Sequence, residues 1–232
     1  YLTEADVTDL LDRQGDTYLL FIQALLENNL MTMDKIREEI ISYRRDKGLS
    51  ALDLEAIKTG DVDRIIPVFV KNDDIPAYIK DYILLSSRNI VRFVDRFFRM
   101  DKIEKIDEYD APLCATQHII GEHNFYTALC GEEEAIAKVA MGFASTSFTP
   151  DSAAEVVDKL DAANEFLNCN NGLFVTGMSD DGVNVRVESP IMKKNHTIIH
   201  ANEHMYKIPL FIEDEQVDLI VCYDESWKIE EK

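Results

Sequence analysis

The sequence has no apolar run close to the eighteen or so residues that a membrane-spanning helix needs. Its opening residues, YLTEADVTDLL, have neither the basic region nor the apolar stretch of a signal peptide. The four cysteines are scattered without a C-x-x-C pair, which argues against a zinc ribbon and against a disulfide framework. We therefore expect a cytoplasmic protein with reduced thiols and no membrane insertion.

Glycine and positive charge are also scarce. The nine glycines form neither a phosphate-binding loop nor a serine-centred nucleophile elbow, so nucleotide hydrolysis and serine chemistry have no support. Residues 1–105 carry 16 Lys and Arg against 20 Asp and Glu, whereas residues 106–232 carry 8 against 24. A net charge of −16 on the second part repels phosphate backbones, so we expect no nucleic-acid partner and instead a partner that presents cations.

What the chain does have is enough apolar sequence, 46% of 232 residues, for one large or two small domains. The first part is predicted to be entirely helical. Five residues precede amphipathic runs as N-caps, namely Thr3, Asp16, Thr32, Ser50 and Asp61. The last helix of this part is predicted to run from about Pro76 to Lys105 and to end in a linker, IDEYDAP.

The second part alternates between strand and helix patterns. A helix is predicted for EEEAIAKVAMGFA and a longer one for residues 151–178. Strands are predicted for six runs: CATQHIIGE, NFYTALCG, GVNVRVESP, HTIIHAN, YKIPLFI and VDLIVCYD. The fold class is therefore α+β, with two long helices packed on an antiparallel sheet, preceded by an all-α domain. We place the domains at residues 1–107 and 108–232.

The longer helix contains DAANEFLNCNNG, in which four asparagines interrupt an otherwise apolar pattern. At 100° per residue, Asp161, Glu165, Asn168 and Gly172 fall together on one polar ridge beside the apolar stripe. Two carboxylates four residues apart repel each other, and a glycine weakens a helix while leaving room for a partner. Residues that weaken the element they occupy are expected at functional sites, although an ordinary solvated face would also explain a Glu and an Asn three apart.

The other asparagines fall elsewhere on the helix. Asn164 and Asn171 lie at the border of the apolar stripe, which predicts structural hydrogen bonds. Asn170 points away from the stripe and is predicted to face water.

The pattern Asp161, Glu165, Asn168, with Pro190 after the next strand, resembles the CheC/CheX/FliY family of chemotaxis phosphatases. The runs GEEEAIAKVAMGFA, VRVESPIM and LIVCYD are similar to the first helix and later strands of that family, so the resemblance covers about residues 110–225. Its CheC-like members repeat the Glu and Asn motif on a second helix. Because EEEAIAKVAMGFA has no such Asn, a single site of the CheX-like branch is indicated.

The resemblance implies a phosphatase that acts on the phosphoaspartate of a response-regulator receiver domain of the CheY type, in chemotaxis or two-component signalling. Asn168 and Glu165 would be its catalytic residues, with Asp161 and Gly172 at the binding rim. No cofactor is expected on this chain, because the phosphorylated receiver is expected to bring Mg²⁺. The resemblance also implies that two copies could pair through a sheet as a homodimer.

Two other functions remain open. The same fold could bind a receiver without catalysis, as an adaptor or sensory module. A metal-binding enzyme is the third alternative, since His196, His200 and His204 recur every four residues. That segment has a strand pattern, in which residues four apart lie about 13 Å from each other, so we predict no metal ligands among them.

Overall fold

The structure is a computed structural model that describes residues 22–71, 74–95, 98–147, 159–193 and 195–231. The chain divides into two compact units, Tyr1–Lys71 and Asn72–Lys232.

The described residues of the first unit form short helices. Residues 22–27 belong to helix α1, and three more helices follow, α2 (Met33–Asp46), α3 (Ala51–Lys58) and α4 (Val62–Phe69). The predicted N-caps Thr32, Ser50 and Asp61 are confirmed, because each side chain accepts a hydrogen bond from a backbone N–H of the first turn. Thr3 and Asp16 lie outside the described residues. The all-α domain as a whole therefore stays a prediction.

The second unit begins with helix α5 (Ala77–Phe93), which ends well before the predicted Lys105. The chain then forms two strands, β1 (Arg99–Met100) and β2 (Glu104–Ala111), so the segment predicted as a linker is mostly strand. Both strands pair with a strand about a hundred residues later in the chain. Those long-range backbone hydrogen bonds override the helical spacing of the local sequence.

The remaining elements confirm the predicted α+β class. In chain order they are β3 (Leu113–Gly121), β4 (Phe125–Gly131), α6 (Glu133–Ser147), α7 (Lys159–Asp180), β5 (Val185–Val187), β6 (Ile191–Lys193), β7 (Thr197–Ile212), β8 (Glu215–Cys222) and β9 (Lys228–Glu231). All pairings are antiparallel, in the order β1-β7-β8-β4-β3-β5; β2 and β9 also pair with β7, and β6 pairs with β3. The predicted strands HTIIHAN and YKIPLFI merge into β7.

The sheet curls because β7 bends. Between the pairs Ile106 with Met205 and Glu108 with His200, β7 has three more residues than β2, and His204 takes a positive φ of 54°. The bend folds β2 and the first half of β7 over one face of the sheet. Apolar side chains fill the space below, namely Ala111, Cys114, Ala128, Cys130, Ile199, Ala201, Met205, Ile220 and Cys222. The sheet thus buries this face without a helix.

Helices cover the other face. Helices α6 and α7 lie on the sheet, and α5 packs against both of them. Tyr82 of α5 contacts the rings of Phe125 and Phe174 edge-on, at centroid distances of 5.4 and 5.3 Å. The predicted boundary at 107/108 places α5 in the N-terminal domain, whereas in the structure α5 is part of the second unit. A boundary at 107/108 between two independently folding domains stays a prediction.

Candidate functional site

The residues predicted for the site lie on the exposed side of α7. Asp161 and Glu165 are exposed, and Asn168 and Gly172 are partly exposed. Glu165 and Asn168 are three residues apart, which is about 4.5 Å along the helix axis and on the same face. A carboxylate and an amide therefore stand side by side where another molecule can reach both. The apolar stripe is buried as predicted at Ala163, Leu167 and Phe174.

Glu165 carries its charge without a close counterion in the described part of the chain, where no cationic side chain lies within 4 Å of its carboxylate. It lies near Cys169. Burial raises the pKa of the Cys169 thiol, Glu165 adds to that increase, and Arg92 of α5 opposes it. A carboxylate in this position remains available to a cation from outside.

Gly172 stands at one end of the ridge. A Cβ atom built on it would meet nothing within 4 Å, and the same is true of Gly177 further along α7. The fold of the described residues therefore gives no steric reason for a glycine at 172. Close approach of a second molecule, which the sequence predicts, remains the interpretation that explains why residue 172 is a glycine.

Asn168 is held by a residue from the sheet. Gln117, in the middle of β3, donates from Nε2 to Oδ1 of Asn168 at 2.8 Å, and from the same nitrogen to the backbone oxygen of Glu188 at 2.8 Å. Glu188 begins the segment that ends at the partly exposed Pro190. Gln117 is only 3% exposed, so the donor of this hydrogen bond is held inside the fold. It joins helix α7, strand β3 and the segment containing Pro190 at one point.

Gln117 is in turn fixed by Asn171, the residue three positions after Asn168. Asn171 donates from Nδ2 to Oε1 of Gln117 at 2.8 Å and to Oγ1 of Thr127 at 2.9 Å. Its own Oδ1 accepts a hydrogen bond of 2.7 Å from the hydroxyl of Tyr82. Asn171 is fully buried, so the predicted structural role is confirmed.

The prediction for Asn170 is wrong, because its side chain is only 2% exposed. Its Nδ2 donates to the hydroxyls of Tyr82 at 3.2 Å and Ser86 at 3.0 Å, and its Oδ1 accepts from Nδ2 of Asn89 at 2.8 Å. Helix α5 covers the side of α7 that the sequence analysis assigned to solvent. For Asn164, Oδ1 is buried and has no hydrogen-bond partner within the described residues.

These contacts form one chain of hydrogen bonds, which we call the amide network. Its members are Tyr82, Ser86, Asn89, Gln117, Thr127, Asn168, Asn170 and Asn171. Sequence reasoning missed Gln117, although a signal was available. It is a polar residue between Ala115 and Ile119 on the same face of a predicted strand, and a polar side chain at an apolar position is the informative exception.

The three histidines do not converge. His200 and His204 lie on β7 and His196 just before it, and each is near a different carboxylate, at 3.4 Å from Asp110 for His196, 3.4 Å from Glu108 for His200 and 3.3 Å from Glu203 for His204. Over the described ranges, no three His, Cys, Asp or Glu side chains come together as a metal site. In the same part of the chain, no helix combines the length and apolar character that crossing a membrane requires.

Several solved structures have a fold similar to that of this chain. No protein-family model and no curated protein matches the sequence. Among solved structures, a chemotaxis protein CheX from Desulfovibrio desulfuricans has 13% sequence identity and a TM-score of 0.52, with 64% of this chain and 100% of that chain covered. A CheC-like superfamily protein from Shewanella has 16% identity and a TM-score of 0.51, with 64% and 98% covered.

A putative chemotaxis protein from Desulfovibrio vulgaris Hildenborough has 13% identity and a TM-score of 0.50, with 66% of this chain and 97% of that chain covered. At such identities the similarity concerns the fold. The structural similarity covers 64% of the chain, which is more than residues 110–225, the half of the chain in which the sequence resembles the family. This chain therefore contains a domain with the fold of these CheX and CheC-like proteins.

Proposed function

We propose that this chain removes the phosphoryl group from the phosphoaspartate of a response-regulator receiver domain. The observation that carries the proposal is the accessible pair of Glu165 and Asn168, one turn apart on a helix of a CheC/CheX-like domain. The reaction is hydrolysis. A water oxygen bonds to phosphorus, the bond from phosphorus to the aspartyl oxygen breaks, and the products are a free carboxylate and inorganic phosphate, which takes up the proton of the water.

Asn168 is the residue that holds the water in this proposal. An acyl phosphate is already activated, so the step needs a positioned nucleophile more than it needs a strong base. A neutral amide can both accept from a water and donate toward a phosphoryl oxygen, whereas a carboxylate would repel the phosphoryl charge. Gln117 restrains the amide from inside the fold, which limits the entropy that is lost when the complex forms.

Glu165 is the anchor. Its carboxylate is exposed and lies one turn from Asn168, within reach of an ammonium group that the partner brings to the phosphoryl site. The negative charge of the second part of the chain, with 8 basic against 24 acidic residues, favours a partner with cations at its binding surface. We expect the receiver to hold Mg²⁺ at the phosphoryl group, so this chain need not bind a metal.

The test is phosphoryl loss from a CheY-type receiver domain charged with acetyl phosphate in Mg²⁺ buffer. Adding the purified chain is expected to accelerate phosphate release over the spontaneous rate, and Asn168→Ala is expected to reduce that acceleration by about 100-fold, because a mispositioned water loses the effective molarity of the site. Ser179→Ala on the same helix is the matched control. Ser179 is exposed, its hydroxyl donates to the backbone oxygen of Val175 in its own helix, and it lies about three turns from Asn168, so the rate should not change.

Two results would count against the proposal. An unchanged rate with Asn168→Ala would remove the role of the amide. Stable binding of the phosphorylated receiver with no turnover by the unaltered chain would instead favour the adaptor function, and titration calorimetry on the same samples distinguishes these cases.

A further inference from the structure

We infer that Gln117 is a positioning residue, which orients the amide of Asn168 so that its amino group faces the partner. This inference rests on the proposed function for its kinetic consequences, but the orientation itself is a property of the free chain. It also assigns a purpose to the amide network, whose eight polar side chains lie in and around the core beside the exposed ridge.

The direction of the Asn168 amide is set by its hydrogen bond to Gln117. An asparagine amide can be turned by 180° about its last bond, which exchanges the donor and acceptor positions with little change in shape. Gln117 removes this ambiguity, because the nitrogen that faces Asn168 is a donor and also bonds to the backbone oxygen of Glu188. With Oδ1 of Asn168 drawn toward β3, its Nδ2 group has no partner within the described residues and is left for another molecule.

The side-chain amide of Gln117 is itself fixed by a neighbour, Asn171. Its Oε1 accepts from Nδ2 of Asn171, and that nitrogen also donates to Thr127, so a donor must face Gln117 at this point. The orientation of Asn171 is fixed in turn by the hydroxyl of Tyr82, which donates to Oδ1. Turning any one amide would bring two donors or two acceptors together inside the core, where unpaired polar groups are penalised heavily.

The hydrogen bonds that fix these amides extend to helix α5. Tyr82 also accepts from Asn170, and Asn170 is bonded to Ser86 and Asn89, all within the buried contact of α5 with α7. Helix α5 lies outside the stretch in which the sequence resembles the phosphatases. A helix that supplies no residue to the exposed ridge thus sets the direction of the amide on that ridge.

The nitrogen and the oxygen of the Asn168 amide therefore have different roles in the reaction. The outward Nδ2 group donates to a phosphoryl oxygen, where negative charge increases as the bond to the aspartyl oxygen breaks. The second lone pair of Oδ1 remains for a proton of the attacking water. Hydrogen bonding from Gln117 to Oδ1 polarises the amide and strengthens the outward donors.

The experiment uses the full chain and two substitutions. Gln117→Met keeps the length of the side chain and removes both hydrogen-bonding ends. Gln117→Glu keeps an acceptor for Asn171 but replaces the donor that faces Asn168 by a second acceptor. With a CheY-type receiver charged with acetyl phosphate, both are expected to lower kcat by about 10-fold or more and to leave KM within about twofold, since Gln117 does not touch the partner.

The matched control is Thr116→Val. Thr116 is the neighbouring buried polar residue on β3, and its hydroxyl bonds to the backbone oxygen of Ile191 at 3.3 Å, away from α7. Its loss perturbs the same strand without changing the donor at Asn168, so kcat should be retained. An equal loss of kcat in Thr116→Val and Gln117→Met would show a general effect of strand damage and would overturn the inference.

A second readout is independent of activity. The side-chain amide of Asn168 is assigned in a nitrogen-15 spectrum by its disappearance in Asn168→Ala, and its order parameter is measured in the unaltered chain and in the Gln117 variants. A rigid amide in the unaltered chain that becomes mobile, with an order parameter below about 0.6, in the variants is the expected result. A mobile Asn168 amide in the unaltered chain overturns the inference even if neither variant folds. If no receiver is dephosphorylated, the proposed function fails, while the amide spectrum still decides whether Gln117 orients Asn168.

Discussion

Two sides of helix α7 use the same amino acid for opposite purposes. On the outer side, Asn168 is partly exposed and forms a hydrogen bond to Gln117, its single partner within the described residues. On the inner side, Asn170 and Asn171 are buried and use both ends of their amides within the core. The side chains are identical, so the difference arises from what packs against each side of the helix.

This difference accounts for three of the four asparagines in a helix where asparagine is a poor helix former, namely Asn168, Asn170 and Asn171. The inner pair compensates for its low helix propensity with buried hydrogen bonds to α5 and the sheet, which an apolar residue could not make. The outer Asn168 has no such compensation beyond Gln117. Its presence is therefore best explained by what it binds, and the two sides should respond differently to substitution.

The largest effect on stability is expected from Asn171→Leu. The substitution keeps the size of the side chain but leaves the hydroxyl of Tyr82 and the Oε1 atom of Gln117 without their partner in the core, which costs about 3 kcal/mol. Urea unfolding followed by circular dichroism measures this loss. The same measurement on Asn168→Ala should give a smaller loss of about 1 kcal/mol, because Asn168 is partly exposed and only its hydrogen bond from Gln117 is removed. Equal losses for the two variants would abolish the distinction between the sides.

A smaller and pH-dependent effect is expected from Tyr82→Phe. Near pH 7 it removes two buried hydrogen bonds, the one that Tyr82 donates to Asn171 and the one that it accepts from Asn170, and costs about 1 to 2 kcal/mol. Burial raises the pKa of Tyr82 to about 12, from a usual value near 10. Between these values the unfolded chain loses the phenolic proton while the folded chain keeps it, so this tyrosine destabilises the fold as pH rises, by about 2 to 3 kcal/mol in full.

The stability difference between the unaltered chain and Tyr82→Phe should therefore shrink and change sign as pH rises from 9 toward 12. Because the other tyrosines are common to both chains, subtracting the two urea curves isolates Tyr82. A difference that stays constant over this range would show that the hydroxyl is not held in the buried amide network.

Local patterns in the sequence predicted what depends on local geometry. The N-caps Thr32, Ser50 and Asp61 are confirmed because a cap bonds to its own first turn. The buried stripe of α7 was predicted correctly at Ala163 and Leu167, because helical periodicity indicates which face is apolar. The placement of Asp161, Glu165 and Asn168 on one ridge follows from the same periodicity.

The errors occurred where distant segments decide. The run IDEYDAP predicts a linker by its composition, whereas residues 106–111 belong to strand β2. The inward residues of this strand, Ile106 and Tyr109, are three apart rather than two, an effect of the bend in β7 that the sequence of β2 does not reveal. Helical periodicity indicates a single apolar stripe on α7 and therefore predicts that Asn170 faces water. In the structure, α5 covers a second side of the helix and buries Asn170. Gln117 lies fifty-one residues from Asn168, and no spacing rule connects them.

The smallest effect, and the finest test of the comparison, concerns two glycines of α7. Neither Gly172 nor Gly177 has an atom within 4 Å of the position of an added Cβ, so alanine at either site should stabilise the helix by about 0.5 to 1 kcal/mol, measured by urea unfolding. Only Gly172 lies on the ridge with Asn168. In the receiver assay, Gly172→Ala should raise KM severalfold because its methyl group obstructs the partner, whereas Gly177→Ala should leave KM unchanged. If both substitutions stabilise the helix equally and neither affects KM, the partner does not contact the helix at Gly172. The surface of α7 that binds the partner is then confined to the turn that contains Glu165 and Asn168.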